Sequence, residues 1–284
     1  MVKSLRKWWP LFLLPTALSF VFGFVIPFVE GLYLSFCQFI SISNPKFVGI
    51  SNYVAALADP QFAHSFWLTA LFTIVITVLI NVIALAIALC FTRKGLKGSN
   101  GFRTVFFMPN LIGGIVLGYI WQILINGVLT IVGQQLLALN TAAGFWGLVI
   151  LMLWQQVGYM MIIYIAGLQS IPSDYLEAAK VDGATAWQTL WKVKIPNLMP
   201  TITICLFLTI TNGFKLFDQN LALTGGAPDH STELLALNIY NTFYARAGAR
   251  WMGIGQAKAV IFCILVICIS MIQLRATQSK EVQQ

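Results

Sequence analysis

The sequence predicts an all-α, polytopic membrane protein with six transmembrane helices, and three observations predict it. Of the 284 residues, 58% are hydrophobic and only 9% are Asp, Glu, Lys or Arg, where a soluble domain has about 25% charged residues. Six apolar stretches reach the length of about 20 residues that a helix needs to cross a bilayer. Lys and Arg are abundant in alternate connections between these stretches, as topology requires.

The six predicted spans belong to one transmembrane domain that covers residues 1–284. Strands of a membrane β-barrel would be about 10 residues long and would alternate in polarity, whereas these stretches are longer and apolar on all sides. No globule of this size has enough interior to bury them. The spans cover residues 11–34, 66–92, 104–125, 146–168, 199–220 and 257–275.

The first apolar stretch has a cleaved signal peptide as its alternative, because Lys3, Arg6 and Lys7 precede it. The stretch is longer than the usual apolar region of such a signal, and no small-x-small cleavage site ends it. A lipoprotein signal ending at Cys37 is disfavoured by the bulky Phe36 before that cysteine. We therefore interpret the stretch as a retained first helix.

The distribution of basic residues predicts the orientation. One set of connections and termini carries 12 Lys and Arg residues and the other carries 5. By the positive-inside rule the richer set is cytoplasmic, so both termini are predicted to be inside. The richer set is Lys3, Arg6, Lys7, Arg93, Lys94, Lys97, Arg103, Lys180, Lys192, Lys194, Arg275 and Lys280; the poorer set is Lys46, Lys215, Arg246, Arg250 and Lys258.

Several classes of function lack the residues that they need. The net charge of +8 is dispersed between apolar runs rather than gathered in a patch, which argues against nucleic acid. No G-x-x-x-x-G-K-[ST], HExxH or GxSxG motif is present, so no catalytic or metal site is predicted. His64 and His230 are interpreted as surface residues. The five cysteines are interpreted as buried small apolar side chains, and they are Cys37, Cys90, Cys205, Cys263 and Cys268.

The connection between the fourth and fifth spans, residues 169–200, is too long for a simple turn. Pro172 excludes a continuing helix, and Ser173 or Asp174 is predicted to cap a new one. That helix runs from Tyr175 to Gly183, where glycine ends it. A second helix is predicted over residues 184–193 and is stopped by Ile195-Pro196. The result is a compact two-helix protrusion.

Five separated motifs in this chain resemble those of permease subunits from binding-protein-dependent ATP-binding-cassette importers, in the carbohydrate-uptake branch. The protrusion resembles their cytoplasmic EAA coupling-helix loop. The motifs occur in the expected order along nearly the whole chain, with Ala227 where relatives usually carry a third glycine. They are Gly49-x-x-Asn52-Tyr53, Phe106-Phe-Met-Pro109, Glu177-Ala178-Ala179-x-x-x-Gly183 with Ile195-Pro196, Gly213-Phe-Lys-Leu-Phe-Asp218 and Leu223-Thr-Gly-Gly-Ala-Pro228.

The resemblance implies a membrane-spanning subunit that forms half of a pore in the bacterial cytoplasmic membrane. It implies a second homologous permease, a cytoplasmic ATPase dimer that binds ATP and Mg, an extracytoplasmic solute-binding protein and a sugar substrate. This chain itself is then not an enzyme and binds no cofactor. The EAA loop docks on the ATPase: Glu177 pairs with a basic residue there, and Ala178, Ala179 and Gly183 allow close packing. Without the motif, Glu177 reads as an ordinary solvated carboxylate.

Polar residues within the spans predict a weak substrate path. Amides supply hydrogen bonds to hydroxyl groups, and aromatic rings face the apolar surface of a sugar. Lys215 and Asp218 lie three residues apart, so they are also predicted to offset each other's charge. The alternative is helix packing, both for the stripe of Thr69, Thr73, Thr77 and Asn81 and for that of Asn110, Gly114, Gly118 and Gln122. The predicted path residues are Asn110, Gln122, Gln156, Tyr159, Asn212, Lys215 and Asp218.

Three other readings of the chain stay open at this point. A glycerol-phosphate-type solute fits the same family, with Lys215 as an anion contact. A stand-alone secondary transporter is disfavoured because the span centres hold essentially no ionisable residues, and a membrane enzyme lacks a catalytic set.

Outer segments 35–65 and 222–256 are expected to receive the binding protein. Tyr240, Tyr244 and Trp251 are contact candidates there, or members of an interfacial aromatic belt.

Overall fold

The computed structural model describes residues 12–92 and 98–278, for Gln278 the backbone alone. Of the basic residues that predict the orientation, Lys3, Arg6, Lys7, Arg93, Lys94, Lys97 and Lys280 lie outside the described residues, so the orientation stays a prediction.

The described chain is helical apart from one two-stranded antiparallel sheet, which confirms the all-α class. Helices α1, α3, α5, α6 and α12 are long and apolar enough to cross a membrane, and a bent pair, α8 with α9, adds a sixth candidate. The sheet pairs β1 (Cys37–Gln38) with β2 (Lys46–Phe47). The helices are α1 Phe12–Leu34, α2 Ser51–Leu57, α3 Pro60–Phe91, α4 Ser99–Phe107, α5 Gly114–Ile131, α6 Thr141–Ser170, α7 Ser173–Val181, α8 Ala186–Asn197, α9 Met199–Phe214, α10 Asp218–Leu223, α11 Leu235–Tyr244 and α12 Ala249–Gln278.

The third predicted span, residues 104–125, is two helices rather than one. Helix α4 gives way to a 3₁₀ turn over Met108–Leu111, and Gly113 is extended before α5 begins. Pro109 lacks a backbone N–H and its ring obstructs a continuous helix. The sequence analysis recognised Pro109 as part of a motif but did not treat it as a helix break.

The fifth predicted span, residues 199–220, also differs from the structure. Helix α9 ends at Phe214, Phe217 leaves helical geometry, and the short α10 begins at Asp218. At its other end α9 meets α8 at Leu198 with a bend of 71°. The fourth and sixth predicted spans lie within the longer helices α6 and α12, and the second, residues 66–92, lies on α3 except for its last residue.

The described chain divides into two compact units. The first comprises the chain up to Pro60 together with Ile239–Cys263. Within it the amide of Asn52 donates to the carbonyls of Ser35 and Cys37 at 2.9 and 2.8 Å, and Tyr53 lies 2.6 Å from the hydroxyl of Ser35. The Gly49-x-x-Asn52-Tyr53 motif therefore fixes α2 against the segment that follows α1.

The second unit comprises Gln61–Asn238 and the chain from Ile264. Half of the 30 residues of helix α6 are buried, among them Tyr164, which is only 1% exposed. The Tyr164 hydroxyl donates to the side-chain carbonyl of Asn81 on α3 at 2.7 Å, and the Asn81 amide donates to Thr209 on α9 at 3.0 Å. Three helices are thus joined by one buried polar network, which positions α9 and the segments attached to its ends.

Candidate functional site

The segment between α6 and α9 folds into two short helices, α7 and α8, and we call residues 171–198 the knob. Gly183 joins the two helices with φ of +70°, a conformation that glycine adopts without steric cost. Thr185 then caps α8: its hydroxyl accepts from the N–H of Gln188, and the Gln188 side chain accepts from the N–H of Thr185. This reciprocal capping box fixes where α8 begins.

A cleft of about 740 Å³ lies between α7 and α8. Three of the six predicted coupling residues, Ala178, Ala179 and Gly183, line it. Glu177 is exposed on α7 beside the cleft, while Ile195 and Pro196 lie in the last turn of α8 and do not line it. The remaining lining residues are Tyr175, Asp182, Ala184, Gln188, Lys192, Val193 and Asn197.

Two local predictions about the knob were wrong. Ser173 and Asp174 are not the cap of α7, because Pro172 occupies that position and both residues lie in the first turn. Pro196 does not stop α8, which continues to Asn197. A wide turn over Leu190–Lys194, closed by the Ile195 N–H on the Leu190 carbonyl, lets the helix pass the proline.

A second, smaller cleft of about 270 Å³ lies where α9 ends. Four predicted path residues line it, namely Gln156, Asn212, Lys215 and Asp218. Lys215 and Asp218 are exposed, and the side-chain oxygen of Gln156 is buried with no hydrogen-bond partner in the part of the chain that the structure describes. Gln219 and three apolar residues, Met152, Leu216 and Phe217, complete the lining. The cleft therefore offers amides, one cation, one carboxylate and an apolar wall.

The structure does not place the other three predicted path residues at this cleft. Gln122 donates to the backbone carbonyl of Leu223 at 3.0 Å, and the Tyr159 ring lies 6.4 Å from that of Phe107. Asn110 lies in the 3₁₀ turn before α5. Lys215 and Asp218 do not form an ion pair within 4 Å in the described chain, contrary to the prediction that they offset each other, because the helix ends between them.

The polar stripe on α5 proves to be a packing surface. A Cβ added at Gly114 would lie 2.6 Å from the Asp218 Cβ, and one at Gly118 would lie 2.7 Å from the Ala222 Cβ. Helix α10 therefore lies directly against α5, as the packing alternative predicted. Gln219, which lines the smaller cleft, also donates to Gln155 at 2.8 Å. Helix α10 is therefore held against both α5 and α6.

The stripe on α3 is likewise a packing surface. Thr69 accepts the N–H of Leu235 at 2.8 Å, and Asn81 belongs to the network with Tyr164 and Thr209. A Cβ added at Gly213 would lie only 2.8 Å from the hydroxyl oxygen of Thr73. All four residues of the stripe are buried.

Sequence reasoning missed a buried ion pair in the first unit. The Lys258 ammonium, 0% exposed, lies 2.7 Å from the Asp59 carboxylate and 2.8 Å from the Thr242 hydroxyl. Arg246 approaches the same carboxylate at 3.8 Å. The sequence analysis places Lys258 in the poorer, non-cytoplasmic set of basic residues. Its position one residue inside the sixth predicted span was the signal for a buried partner.

Both histidines are exposed, as predicted, whereas the interpretation of the cysteines needs correction. His230 is 2.9 Å from the buried carboxylate of Glu233, and His64 lies 3.3 Å from the Ser231 carbonyl, so both contact one loop rather than only solvent. All five cysteines are free, but Cys90 and Cys268 are exposed. In a spanning helix an exposed apolar side chain faces lipid or another subunit. The residues 12–92 and 98–278 contain no group of three or more His, Cys, Asp or Glu side chains suited to a metal.

The structure combines long apolar helices, a bent knob with an open cleft, and a polar cleft at a helix end. These features together define the class of a polytopic transport protein. Residues 80–283 match the family described as "Binding-protein-dependent transport system inner membrane component". The chain belongs to this family, and it is therefore a multi-pass permease component of such a system in the inner membrane.

Relatives of known description agree with this assignment. The chain is 44% identical over 285 residues to the "Probable starch degradation products transport system permease protein AmyD" of Thermoanaerobacterium thermosulfurigenes, covering 97% of this chain and 96% of that one. It is 34% identical to the "Multiple sugar-binding transport system permease protein MsmF" of Streptococcus mutans, covering 81% of each. A crystallised bacterial importer of the acidic polysaccharide alginate shares the fold, with a TM-score of 0.83, 20% identity and coverage of 98% of both chains.

Proposed function

We propose that this chain is one half of the translocation pore of an ATP-driven sugar importer, with an oligosaccharide as the preferred substrate class. The proposal extends the family assignment with the descriptions of AmyD and MsmF, which concern starch products and multiple sugars. The other half of the pore is a second, homologous permease. An extracytoplasmic solute-binding protein delivers the sugar to outer segments 35–65 and 222–256.

The open cleft of the knob is the observation that carries the coupling part of the proposal. A cleft of about 740 Å³ with small residues on one wall accepts an element of another protein. We assign this partner as a cytoplasmic ATPase dimer that binds ATP and Mg, with Glu177 pairing a basic residue at the edge. Both termini and the knob then lie inside, as the basic residues predict.

The smaller cleft supports the substrate part of the proposal. Gln156 and Asn212 present amide groups there, and the Gln156 oxygen has no hydrogen-bond partner among residues 12–92 and 98–278. A buried acceptor without a donor is costly, so a hydroxyl donor from a sugar is a suitable partner. Phe217, which is partly exposed, supplies apolar surface for the C–H face of the ring. The proposed substrate path therefore no longer includes Asn110, Gln122 and Tyr159, which the sequence predicts as path residues.

Reconstitution tests the proposal directly. Proteoliposomes with this chain alone are expected to move no sugar, whereas those that also hold the second permease, the ATPase and the binding protein are expected to do so only with ATP and Mg. Transport by the isolated chain would instead favour a stand-alone carrier and would contradict the proposal.

A phosphorylated polyol is a second candidate substrate, because Lys215 is exposed at the smaller cleft and has no ion-pair partner within 4 Å in the described chain. An ammonium group of this kind suits a phosphate. A panel of sugars and glycerol phosphate, each with its own binding protein, separates the two candidates. Dependence of uptake on Lys215 only for the phosphorylated solute would identify the second.

A further inference from the structure

Helix α8 carries an exposed pair of tryptophans that the knob's cleft does not use. Trp187 and Trp191 lie four residues apart and their rings meet edge to face, with centroids 5.6 Å apart. They are 68% and 52% exposed, and neither lines the cleft. Two large apolar rings left uncovered on a short helix call for a partner outside the chain.

The bend between α8 and α9 sets how far this pair lies from the start of α9 along the axis of α9. Helix α9 has 16 residues and is therefore about 24 Å long, less than the roughly 30 Å of the hydrocarbon core. Helix α8 leaves it at 71°, so its residues move along the axis of α9 by only about 0.5 Å each. Trp187 thus lies only about 5 Å beyond Leu198 along that axis.

With α9 crossing the hydrocarbon core from Leu198, that distance places the pair in the polar layer of a bilayer. The headgroup region on each side is about 5–8 Å thick, and tryptophan is enriched there because its ring is apolar while its N–H is polar. Lys194 follows Trp191 within the same wide turn of α8. A lysine beside interfacial aromatic residues is attracted by anionic headgroups. Charge and aromatic character therefore point to the same partner.

We propose that α8 is an interfacial anchor: Trp187 and Trp191 insert into the headgroup region of the leaflet where α9 begins, and Lys194 contacts anionic lipid. The lipid then holds one side of the knob while the cleft between α7 and α8 stays free for a protein partner. The anchor gives the knob a fixed height and prevents it from turning about Leu198. The proposal rests on the proposed function only for the identity of that protein partner.

Photocrosslinking in the assembled transporter tests the anchor. Benzoylphenylalanine in place of Trp191 is expected to form adducts with phospholipid after irradiation in native membranes. Adducts with the ATPase or the second permease, or no adduct at all, would overturn the proposal, because a side chain in the headgroup region is surrounded by C–H bonds.

The same probe in place of Tyr175 is the matched control, since Tyr175 is also an exposed aromatic residue of the knob but lines the cleft. There the proposed function predicts adducts with the ATPase. Failure of the Tyr175 probe to capture an ATPase would count against the proposed function, and it would leave the lipid result at position 191 intact. The two failures are thus distinguishable.

A second measurement tests the proposed contact between Lys194 and anionic lipid. Uptake by the complete transporter is compared in vesicles of phosphatidylcholine alone and in vesicles that also contain phosphatidylglycerol. Lys194→Gln is expected to lose much of the gain that the anionic lipid gives, whereas Lys46→Gln, an exposed lysine of β2, is expected to keep it. An equal gain in the wild type and in both variants would contradict the assignment of Lys194.

Discussion

Gly118 shows how a single residue decides whether two helices meet. Its surroundings leave no room for a methyl group, because Ala222 of α10 already occupies the place where a Cβ would lie. Gly127, on the same helix, has nothing within 4 Å of its would-be Cβ. Because both positions hold glycine in one helix, the same substitution at each changes helix propensity equally. A comparison of the two therefore separates the effect of packing from that of the backbone.

We predict that Gly118→Leu destabilises the protein by about 1–3 kcal/mol, the usual cost of overpacking, and displaces α10. Gly127→Leu is expected to leave stability nearly unchanged or to raise it slightly. Thermal unfolding of the two purified variants in detergent is the measurement. Equal stability of the two would show that α10 does not pack on α5.

The ion pair of Lys258 and Asp59 is asymmetric, which makes its variants informative. The ammonium is fully buried, whereas the carboxylate is 15% exposed and also has Arg246 at 3.8 Å. Removal of the carboxylate takes away the anion that lies 2.7 Å from a fully buried charge. Removal of the ammonium leaves a carboxylate that retains water and a second cation.

Asp59→Asn is therefore predicted to destabilise the protein by about 3–5 kcal/mol, and Lys258→Met by less. The double variant is expected to recover much of the loss of Asp59→Asn, since it removes both charges. Unfolding of the three variants is the readout. A larger loss for Lys258→Met than for Asp59→Asn would contradict the asymmetry.

Individual residues were harder to predict than patterns, for a physical reason. A polar side chain in an apolar stretch is either a packing or a binding residue, and only its neighbours decide. Gln122 and Gln156 looked alike in the sequence, yet one donates to the carbonyl of Leu223 and the other leaves an acceptor open at a cleft. No local signal distinguishes them, because Leu223 lies 101 residues away.

At the scale of elements, the apolar stretches predicted where helices exist better than where they end. The stretches at 104–125 and 199–220 each contain a break that hydropathy does not detect, at Pro109 and at Lys215. Pro196, in contrast, lies inside a helix. A proline's effect depends on whether the preceding turn is wide enough to receive it, and that is decided by tertiary packing.

The end of α9 and the facing turn of α6 form the smaller cleft, and the corresponding prediction concerns both elements together. Gln156→Ala with Asn212→Ala is expected to lower the rate of sugar uptake on the order of tenfold, because each lost hydrogen bond is worth about 0.5–1.5 kcal/mol. Gln135→Ala, an exposed amide outside the cleft, is the control. Wild-type uptake by the double variant across several sugars would remove this cleft from the path.

At the scale of the whole molecule, the feature that distinguishes the chain is the knob with the open cleft between its two helices. The EAA-like motif was visible in the sequence as residues at fixed spacing, and the structure shows that Ala178, Ala179 and Gly183 line the cleft. The tilt of α8 and the exposure of its tryptophans were not predicted. They follow from a 71° bend, and hydropathy carries no information about angles.

The most direct measurement of the central claim, that the knob couples this chain to an ATPase, compares Gly183→Trp with Gly133→Trp. Both glycines have φ near +70° and nothing within 4 Å of the would-be Cβ, but only Gly183 lies in the knob. In the reconstituted transporter, ATP hydrolysis and sugar uptake are recorded in parallel. We predict that Gly183→Trp inserts normally but loses uptake and its link to hydrolysis, while Gly133→Trp keeps both. Uptake at the wild-type rate in Gly183→Trp would contradict the account.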